Sequence, residues 1–438
     1  MDCGISVQKT LFAPRGGIAY RPIPGTVMRA GFALTPEQIN MFRDGLYNYP
    51  ANIGYSDTSA NPYTAVAPLA AGITVVQPPD ISSGSITLPT GTTFATSPKN
   101  FVRGYVESYN VTVEQDFGKG WLGSIAYVGT HTVHQHTRYN INYGQVGGGA
   151  ASQPFYKLFG TTASEVEVLP LEAMNYNSMQ LNLGRAFANG FQLKAGYTWS
   201  KWIATCCDTR ADGSPAIPIP QYFYLNRVAS PGDMRSNFVL SGIAELPFGR
   251  NKPFLQHGIG AAVAGGWQLN GVLTAHTGTP FSISADGTGL NAPGSQQRAD
   301  QVKPVRILGA HANSYFNPTA FRPVPNTQAR FGTANFNSLY GPGAANLDLS
   351  LFRSIAIREP WMLQFRIDAL NFTNTPHFSN PGSSNTNVSS VVYGTDASGN
   401  QNYSNIINLN GFGQITSTNA GSRLTDERYL RLGLKLTF

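Results

Sequence analysis

The chain has 438 residues, of which only 12% are charged, and a formal net charge of +7. Charged residues make up about a quarter of an average soluble domain, yet the mean hydropathy here is only −0.17. Few charges without an apolar excess are typical of strands that alternate apolar with uncharged polar residues. The positive charge is spread along the chain, without a run of five Lys or Arg, which argues against nucleic acid as a partner.

Helical membrane proteins and disulfide-rich domains are also excluded. The longest nearly apolar stretch, residues 258–266, is about half of the roughly 20 residues that a membrane-spanning helix needs. The three cysteines are Cys3 and the adjacent pair Cys206 and Cys207, which can form a vicinal disulfide or remain two thiols. Their spacing fits neither a zinc site nor a disulfide framework. We predict no metal and no cofactor.

Alternation of apolar and polar residues with a period of two runs through the chain and predicts β-strands. It is clearest at the end, where Leu430, Leu432, Leu434, Leu436 and Phe438 share one face. A strand of about ten residues crosses a bilayer when tilted. Eleven strands are expected, around residues 16–21, 27–34, 106–116, 121–129, 179–183, 191–200, 238–246, 267–275, 347–351, 363–369 and 429–438.

Short and long connections alternate between these strands. Short turns are expected at 22–26, 117–120, 186–190 and 354–361, with a medium connection at 247–265. Long segments rich in Gly, Asn, Ser and Pro are expected at 35–103, 130–176, 202–235, 281–343 and 373–427. Short periplasmic turns and long extracellular loops are typical of bacterial membrane barrels, and strands in lipid must close into a barrel. We therefore predict an all-β, antiparallel transmembrane β-barrel with long extracellular loops.

The strand count predicts that the chain is part of a longer protein. If the short turns are periplasmic, the last of eleven strands runs inward, and so does the first. Single-chain bacterial barrels have an even number of strands, and an open set leaves two unpaired edges in lipid. The start also lacks the apolar segment of a signal peptide. We expect a missing N-terminal portion; the alternative is one misjudged strand.

Eight segments resemble, in chain order, the C-terminal barrel of TonB-dependent transporters of the Oar type, common in acidobacteria. They are APRGGIAYRP at 13–22, MRSNFVLSGIAELPFGRNKPF at 234–254, GGWQLNGVLTAHTGTPFSI at 265–283, YFNPTAF at 315–321, NLDLSLFRSI at 346–355, LQFRIDALNFTNTPHF at 363–378, FGQITSTNAGSR at 412–423 and YLRLGLKLTF at 429–438.

The resemblance implies a β-sandwich, a plug and a barrel of 22 strands, used to bind or take up a bulky solute with energy from the TonB complex. In residues 1–438 we identify no segment that resembles the sandwich, the plug or a TonB box. Residues 1–438 are therefore expected to be the C-terminal half of the barrel, with TonB as a partner only if a plug is supplied. Outer-membrane lipid, lipopolysaccharide and the barrel-assembly machinery are the other expected partners.

The C-terminus and the tryptophans are the first candidate site residues. A terminal aromatic on an alternating strand resembles the recognition signal of the barrel-assembly machinery, which we assign to Phe438, Leu436, Leu434 and Tyr429. The alternative is that Phe438 is one more lipid-facing residue. Four tryptophans at predicted strand ends suit the interfacial girdle, with ligand stacking as the alternative. They are Trp121, Trp199, Trp267 and Trp361.

Charged residues on the polar faces of the strands are predicted to face the lumen. They are Lys194, Asp348, Arg366, Asp368, Arg431 and Lys435. Pairing of Arg366 or Arg431 with Asp348 or Asp368 across strands would stabilise the wall, and contact with a solute is the alternative.

His131, His134 and His136 have a spacing that can bind Zn or Cu, but no carboxylate or Cys is near them in the sequence. We expect a polar extracellular loop there. The motifs HExxH and GxSxG, the P-loop and the Rossmann fingerprint are absent, so we predict no enzyme and no catalytic residues. Two other functions remain open. One is a structural or adhesive outer-membrane barrel, and the other is a secreted β-rich binding module, which would need more surface charge.

Overall fold

The computed structural model describes residues 6–8, 10–37, 48–49, 52–53, 63, 65–68, 70, 72, 77–87, 89, 92–205, 214–418 and 426–438. Cys3, Cys206 and Cys207 lie outside these residues. The strands, in chain order, are β1 (Ser6–Val7), β2 (Arg15–Ile23), β3 (Thr26–Pro36), β4 (Ala95–Thr96), β5 (Asn100–Phe101), β6 (Tyr105–Gly118), β7 (Trp121–Asn140), β8 (Val166–Ala188), β9 (Phe191–Thr205), β10 (Arg227–Ala229), β11 (Ser236–Glu245), β12 (Trp267–His276), β13 (Pro280–Phe281), β14 (Asp300–Gln301), β15 (Phe321–Arg322), β16 (Leu339–Tyr340), β17 (Ala344–Arg358), β18 (Trp361–Leu370), β19 (Val392–Thr395), β20 (Gln401–Asn408) and β21 (Tyr429–Thr437).

The helices are short. In the described part of the chain, two are α-helical, Pro154–Phe159 and Gly258–Ala264. The 3-10 helices are Ala150–Ser152, Pro220–Asn226, Pro318–Ala320, Ser383–Thr386 and Val388–Ser390. Among the residues that the structure describes, no helix has the length and apolar character needed to cross a membrane.

One large sheet organises the molecule. Its antiparallel path runs β2-β3-β6-β7-β8-β9-β11-β12-β17-β18-β21, and β4 and β10 add to β8 and β9 to give thirteen strands. Each long strand pairs with the next one along the chain, as in up-and-down barrels. The predicted antiparallel all-β fold is confirmed, and the eleven predicted strands form the path in the predicted order. Within the described residues β2 and β21 are the two edges and do not pair with each other.

The pairing register places the apolar residues on one continuous face of the sheet. At one level Leu432 pairs with Ile367, Ile367 with Leu351, and Leu351 with Leu269. Leu432 is 72% exposed and Leu434 is 71% exposed, so these side chains are not packed into an interior. An apolar face this wide must be covered by a non-aqueous medium, because burying it there removes its area from water.

The connections at the two ends of the strands differ in length, as predicted. At one end of the strands the connections are short, at 24–25, 119–120, 189–190 and 359–360, with the medium connection at 246–266. At the other they are long, at 37–104, 141–165, 206–235, 277–343 and 371–428. We call these the turn edge and the loop edge.

β7 and β8 are longer than the sequence predicted. A bulge interrupts the alternation of β7, because His134 has a φ of 55° and the register shifts between Thr132 and Gln135. The halves of both strands beyond this bulge were therefore not recognised in the sequence. Beyond the bulge the two strands continue to pair as far as Asn140 and Val166. Residues 130–140 and 166–176, expected to be loop, are therefore strand. β7 has 20 residues and β8 has 23, about twice the length that a tilted strand needs to cross a bilayer.

Opposite faces of one strand should respond differently to the same charge. Leu181 lies on the apolar face between Ile125 and Tyr197, and its neighbour Gln180 lies on the polar face. We expect Leu181→Arg to destabilise the protein by about 2–4 kcal/mol in a bilayer, because a cation would face lipid. Gln180→Arg is the matched control and should cost much less. Urea unfolding in phosphatidylcholine vesicles measures both, and equal losses would contradict the assignment of faces.

Candidate functional site: the polar face and the loop cap

Four of the six predicted lumen charges lie together on the polar face of β17, β18 and β21. Arg366 Nε is 2.7 Å from Asp368 Oδ1, which also accepts a hydrogen bond from Ser350 Oγ. Arg431 is the register partner of Asp368 on the neighbouring strand. With Asp348, these residues line a recess of about 320 Å³. The short ion pair lies within β18, whereas the sequence suggested pairs across strands; Arg431 supplies the cross-strand charge.

The remaining predicted charges lie elsewhere on the same face. Lys194 is paired in register with Ser241, and Lys435 with Gln364, and both lysines are exposed. A further ion pair was missed, between Arg29 Nη2 and Glu114 Oε2 at 3.2 Å. The sequence contained a sign of this pair, because opposite charges stand at polar positions of β3 and β6. They can meet once the two strands pair.

The long connections contain the hydrophobic core of the described molecule. One cluster is built from residues of 277–343 and 371–428 around Phe316, which is fully buried. The ring centroid of Phe316 lies 5.6 Å from that of Phe321 and 5.4 Å from that of Phe412, both in edge-on geometry. Edge-on aromatic contacts are favoured by the charge distribution of the rings. The predicted extracellular loops are therefore packed against each other.

A second cluster packs the connection that precedes β11 against residues of 277–343. Ile217 and Ile219 from this connection pack with Leu290, Phe331 and Phe336. Backbone hydrogen bonds from 144–149 to 290–293 add the connection between β7 and β8. We call residues 141–165, 214–235, 277–343 and 371–418 the cap. The sequence did not predict the cap, because its apolar residues follow neither of the regular periods.

A buried carboxylate fixes the cap to the loop edge of the sheet. Asp233 Oδ2 accepts hydrogen bonds from Lys201 Nζ at 2.8 Å and from Tyr340 Oη at 2.6 Å. Asp233 Oδ1 accepts one from the backbone N–H of Trp202 at 2.7 Å. Because Tyr340 belongs to the cap and Lys201 to β9, this carboxylate joins the two parts.

A second buried carboxylate stabilises the cap internally. Asp300 receives two hydrogen bonds from the Arg330 guanidinium, at 2.8 and 2.7 Å. These bonds, together with the charges of Arg330 and Arg322, lower the pKa of Asp300 below its usual value of 3.8, although burial acts in the opposite direction. A fork of two parallel N–H bonds is the strongest geometry for such a pair.

The three histidines lie in the half of β7 nearer the loop edge. The expectation that they belong to a polar extracellular loop was wrong. His131 Nδ1 is 3.2 Å from Glu107 Oε2, and His136 Nδ1 is 3.1 Å from Glu37 Oε2. The buried His136 ring also lies 4.2 Å from the ring of Phe101. Pairing of β6 with β7 brings Glu107 to His131, and Glu37, directly after β3, reaches His136, so the fold supplies the carboxylates that the local sequence lacks. In the part of the chain that is described, no group of three or more His, Cys, Asp or Glu can hold a metal ion.

The four predicted girdle tryptophans all lie on the apolar face, at two levels. Trp121, Trp267 and Trp361 begin β7, β12 and β18 at the turn edge. Trp199 lies near the loop edge, opposite Ser236, where β11 begins. Phe191 and Trp199 mark the two levels on β9 and are eight positions apart, which matches the 9–11 residues of a tilted membrane strand.

The C-terminal residues extend the apolar face to its edge. The Phe438 ring stacks on Trp361, with centroids 5.2 Å apart and planes at 30°. Leu434 and Leu436 lie on the same face, paired with Phe365 and Leu363. Tyr429, by contrast, lies on the polar face beside Arg431, whose guanidinium is 5.4 Å from its ring. Their role in barrel assembly remains a prediction.

A meander with one apolar face, aromatic residues at two levels and a charged opposite face is the wall of a membrane β-barrel. The model of the outer membrane beta barrel domain family matches residues 1–430, and the chain belongs to that family. It is therefore a protein of the bacterial outer membrane, as the sequence predicted. The comparison with curated proteins gives no match.

Several solved structures resemble the chain at low identity. The outer membrane transporter YddB from Escherichia coli is 9% identical, with a TM-score of 0.44 over 93% of this chain and 38% of that chain. The pyoverdine receptor FpvA from Pseudomonas aeruginosa is 10% identical, with a TM-score of 0.43 over 97% and 36%. The FrpB iron transporter from Neisseria meningitidis is 9% identical, with a TM-score of 0.42 over 98% and 39%. The chain spans less than two fifths of the length of each.

The ion pair inside the cap predicts a response to pH. The lowered pKa of Asp300 stabilises the folded cap fully above its unfolded value of 3.8, and this contribution is lost as the pH falls through the folded pKa. We expect Asp300→Asn to cost about 1.5–3 kcal/mol at pH 7. The difference from the wild type should shrink below pH 3.8. Hydrogen exchange of residues 298–333, measured across pH, reports both effects, and a constant difference at all pH values would contradict the ion-pair explanation.

Proposed function

We propose that this chain is the C-terminal part of the barrel of a TonB-dependent transporter of the Oar type, which binds or takes up a bulky solute at the cell surface. The observation that carries the proposal is the cap. A membrane wall whose loops pack into a folded structure at one edge provides an external surface for recognition. The charged recess on the polar face is suited to contacts made along the lumen.

The chemistry of the polar face favours a polar solute without a large net charge. The recess around Asp368 combines carboxylates with guanidinium groups, and Arg366 and Asp368 already neutralise each other. Such a wall offers both donors and acceptors and creates no strong field of one sign. A glycan or a peptide fits this surface better than a highly charged metal chelate.

The open sheet supports the proposal that more strands complete the wall. In the described residues β2 and β21 leave their outer backbone groups without strand partners. Such groups cost several kcal/mol each in lipid, so partner strands from a larger barrel would satisfy them. A plug and a TonB box would have to come from the same additional portion, and energy coupling depends on it.

Binding of soluble solutes by intact cells tests the proposal. Cells that carry the chain in the outer membrane are incubated with fluorescent oligosaccharides, peptides and ferric chelates of matched size. We expect saturable binding of one polar class. Phe316→Ala should abolish it, because truncating a buried Phe costs about 3–5 kcal/mol and loosens the cap.

Phe254→Ala is the matched control, because Phe254 is 58% exposed in the connection between β11 and β12 at the turn edge. It should leave binding unchanged. In cells where the additional portion is present, Arg366→Gln should reduce passage of the solute into the periplasm while surface binding persists. If cells adhere to glycan-coated surfaces but bind no soluble solute, the protein is an adhesive barrel and the transport proposal fails. Release of the chain as a soluble protein would support the secreted binding module instead.

A further inference from the structure

A recess on the outer face of the wall lies at the level where the loop edge leaves the membrane. It has a volume of about 450 Å³. Its lining includes Tyr127, Asn177, Met179, Trp199, Lys201 and Arg235. Tyr127, Met179 and Trp199 are consecutive register partners on the apolar face. The floor is therefore part of the lipid-facing surface and is separate from the charged recess of the polar face.

Two cations stand at the outer rim of this recess. Lys201 lies two residues beyond Trp199 on the same face, and its side chain is 42% exposed. Arg235 is exposed, and its guanidinium lies 4.1 Å from the ring centre of Tyr340. Because the N–H donors of a guanidinium lie in its plane, a ring against one face does not consume them. The tyrosine thus positions Arg235 for an additional ligand.

Among the residues that the structure describes, the charge balance at the rim is positive. The described carboxylate that contacts the rim is Asp233, which is buried beneath Lys201. Arg227, also exposed, lies farther out on β10, where it pairs in register with Thr205. In the described residues, the half-buried Lys201 is paired with Asp233, and the exposed Arg235 and Arg227 add two further positive charges on this side of the wall. Positive side chains beside a membrane surface attract anionic headgroups.

The order of chemical groups along the wall matches the order of groups in a lipid. Tyr127, Met179 and Trp199 form one level, and Asn177 and Lys201, which pair in register, lie two residues farther out. Arg235 lies beside Ser200, between these levels, and Tyr127 Oη donates a hydrogen bond to Asn177 Oδ1 at 2.6 Å. From the membrane outward, apolar groups are therefore followed by an amide and cations, which corresponds to the acyl chains and then the phosphorylated sugar of a glycolipid. Tyr and Trp rings also favour this boundary because one end is apolar and the other is polar.

We propose that this recess binds a phosphorylated glycolipid of the outer leaflet. Lys201 and Arg235 would contact its phosphates, Asn177 and Tyr127 its sugar hydroxyls, and Met179 and Trp199 an acyl chain. Guanidinium and phosphate form two parallel hydrogen bonds, which are short and strong. The inference depends on the lipid-facing assignment of the apolar face and does not depend on transport.

Native mass spectrometry of the full chain in a non-ionic detergent tests the proposal, with diphosphoryl lipid A as the probe. We expect one lipid A to bind per chain, and dephosphorylated lipid A to bind more weakly. Arg235→Gln should raise the Kd about tenfold, which corresponds to 1.4 kcal/mol. The backbone hydrogen bond from Ser200 N–H to the carbonyl oxygen of Arg235 does not involve the side chain, so this variant should keep the strand pairing. Lys201→Gln should add to the effect but also removes a contact to the buried Asp233.

Arg185→Gln is the matched control, because Arg185 lies on the same face near the turn edge, against Trp121 and Phe191. It should leave the Kd unchanged, and heat-modifiable gel migration should show that every variant is folded. An equal Kd for the wild type and Arg235→Gln would overturn the proposal. So would equal binding of dephosphorylated lipid A. Displacement of lipid A by inorganic phosphate at similar concentration would show an anion site without lipid recognition and would overturn it too.

Discussion

Backbone hydrogen bonding in a medium without water is the constraint on which this structure depends. In lipid, every N–H and C=O of a strand must find a partner on a neighbouring strand, so the eleven strands must pair continuously from β2 to β21. Once they pair, side chains alternate strictly between two faces. One face becomes apolar and the other polar, and a shift of one residue in any strand would exchange them.

This constraint also explains why the buried core lies outside the wall. A sheet between lipid and a wet lumen has no dry interior of its own, so its leucines remain exposed to the surrounding medium. The cap, in water, has to bury apolar side chains to stay folded. Phe316 and its neighbours therefore form a conventional core, and the buried carboxylates of Asp233 and Asp300 hold this core to the wall and to itself. The wall exposes its apolar side chains because it lies in lipid, and the cap buries them because it lies in water.

The sequence predicted the wall well and the cap poorly, for the same physical reason. Period-two alternation records which face of a strand meets lipid, so the strands ending at Phe438 and starting at Trp267 were found directly. The bulge at His134 broke the period and concealed half of β7. The ion pair between Arg29 and Glu114 required knowledge of strand pairing. The cap depends on contacts such as Phe316 with Phe412, almost a hundred residues apart, which no local pattern records.

The outer halves of β7 and β8 give the molecule a mechanical element. Beyond the level of Trp199 the two strands continue, and a strand advances about 3.3 Å per residue. Paired ribbons resist bending far more than single connecting segments do. Because the same two strands form part of the wall within the membrane, a force applied to the cap is transmitted directly into the wall through Asn140 and Val166, where the cap joins these strands. The paired strands β7 and β8 therefore form a stiff element that is fixed in the bilayer at one end and connected to the cap at the other.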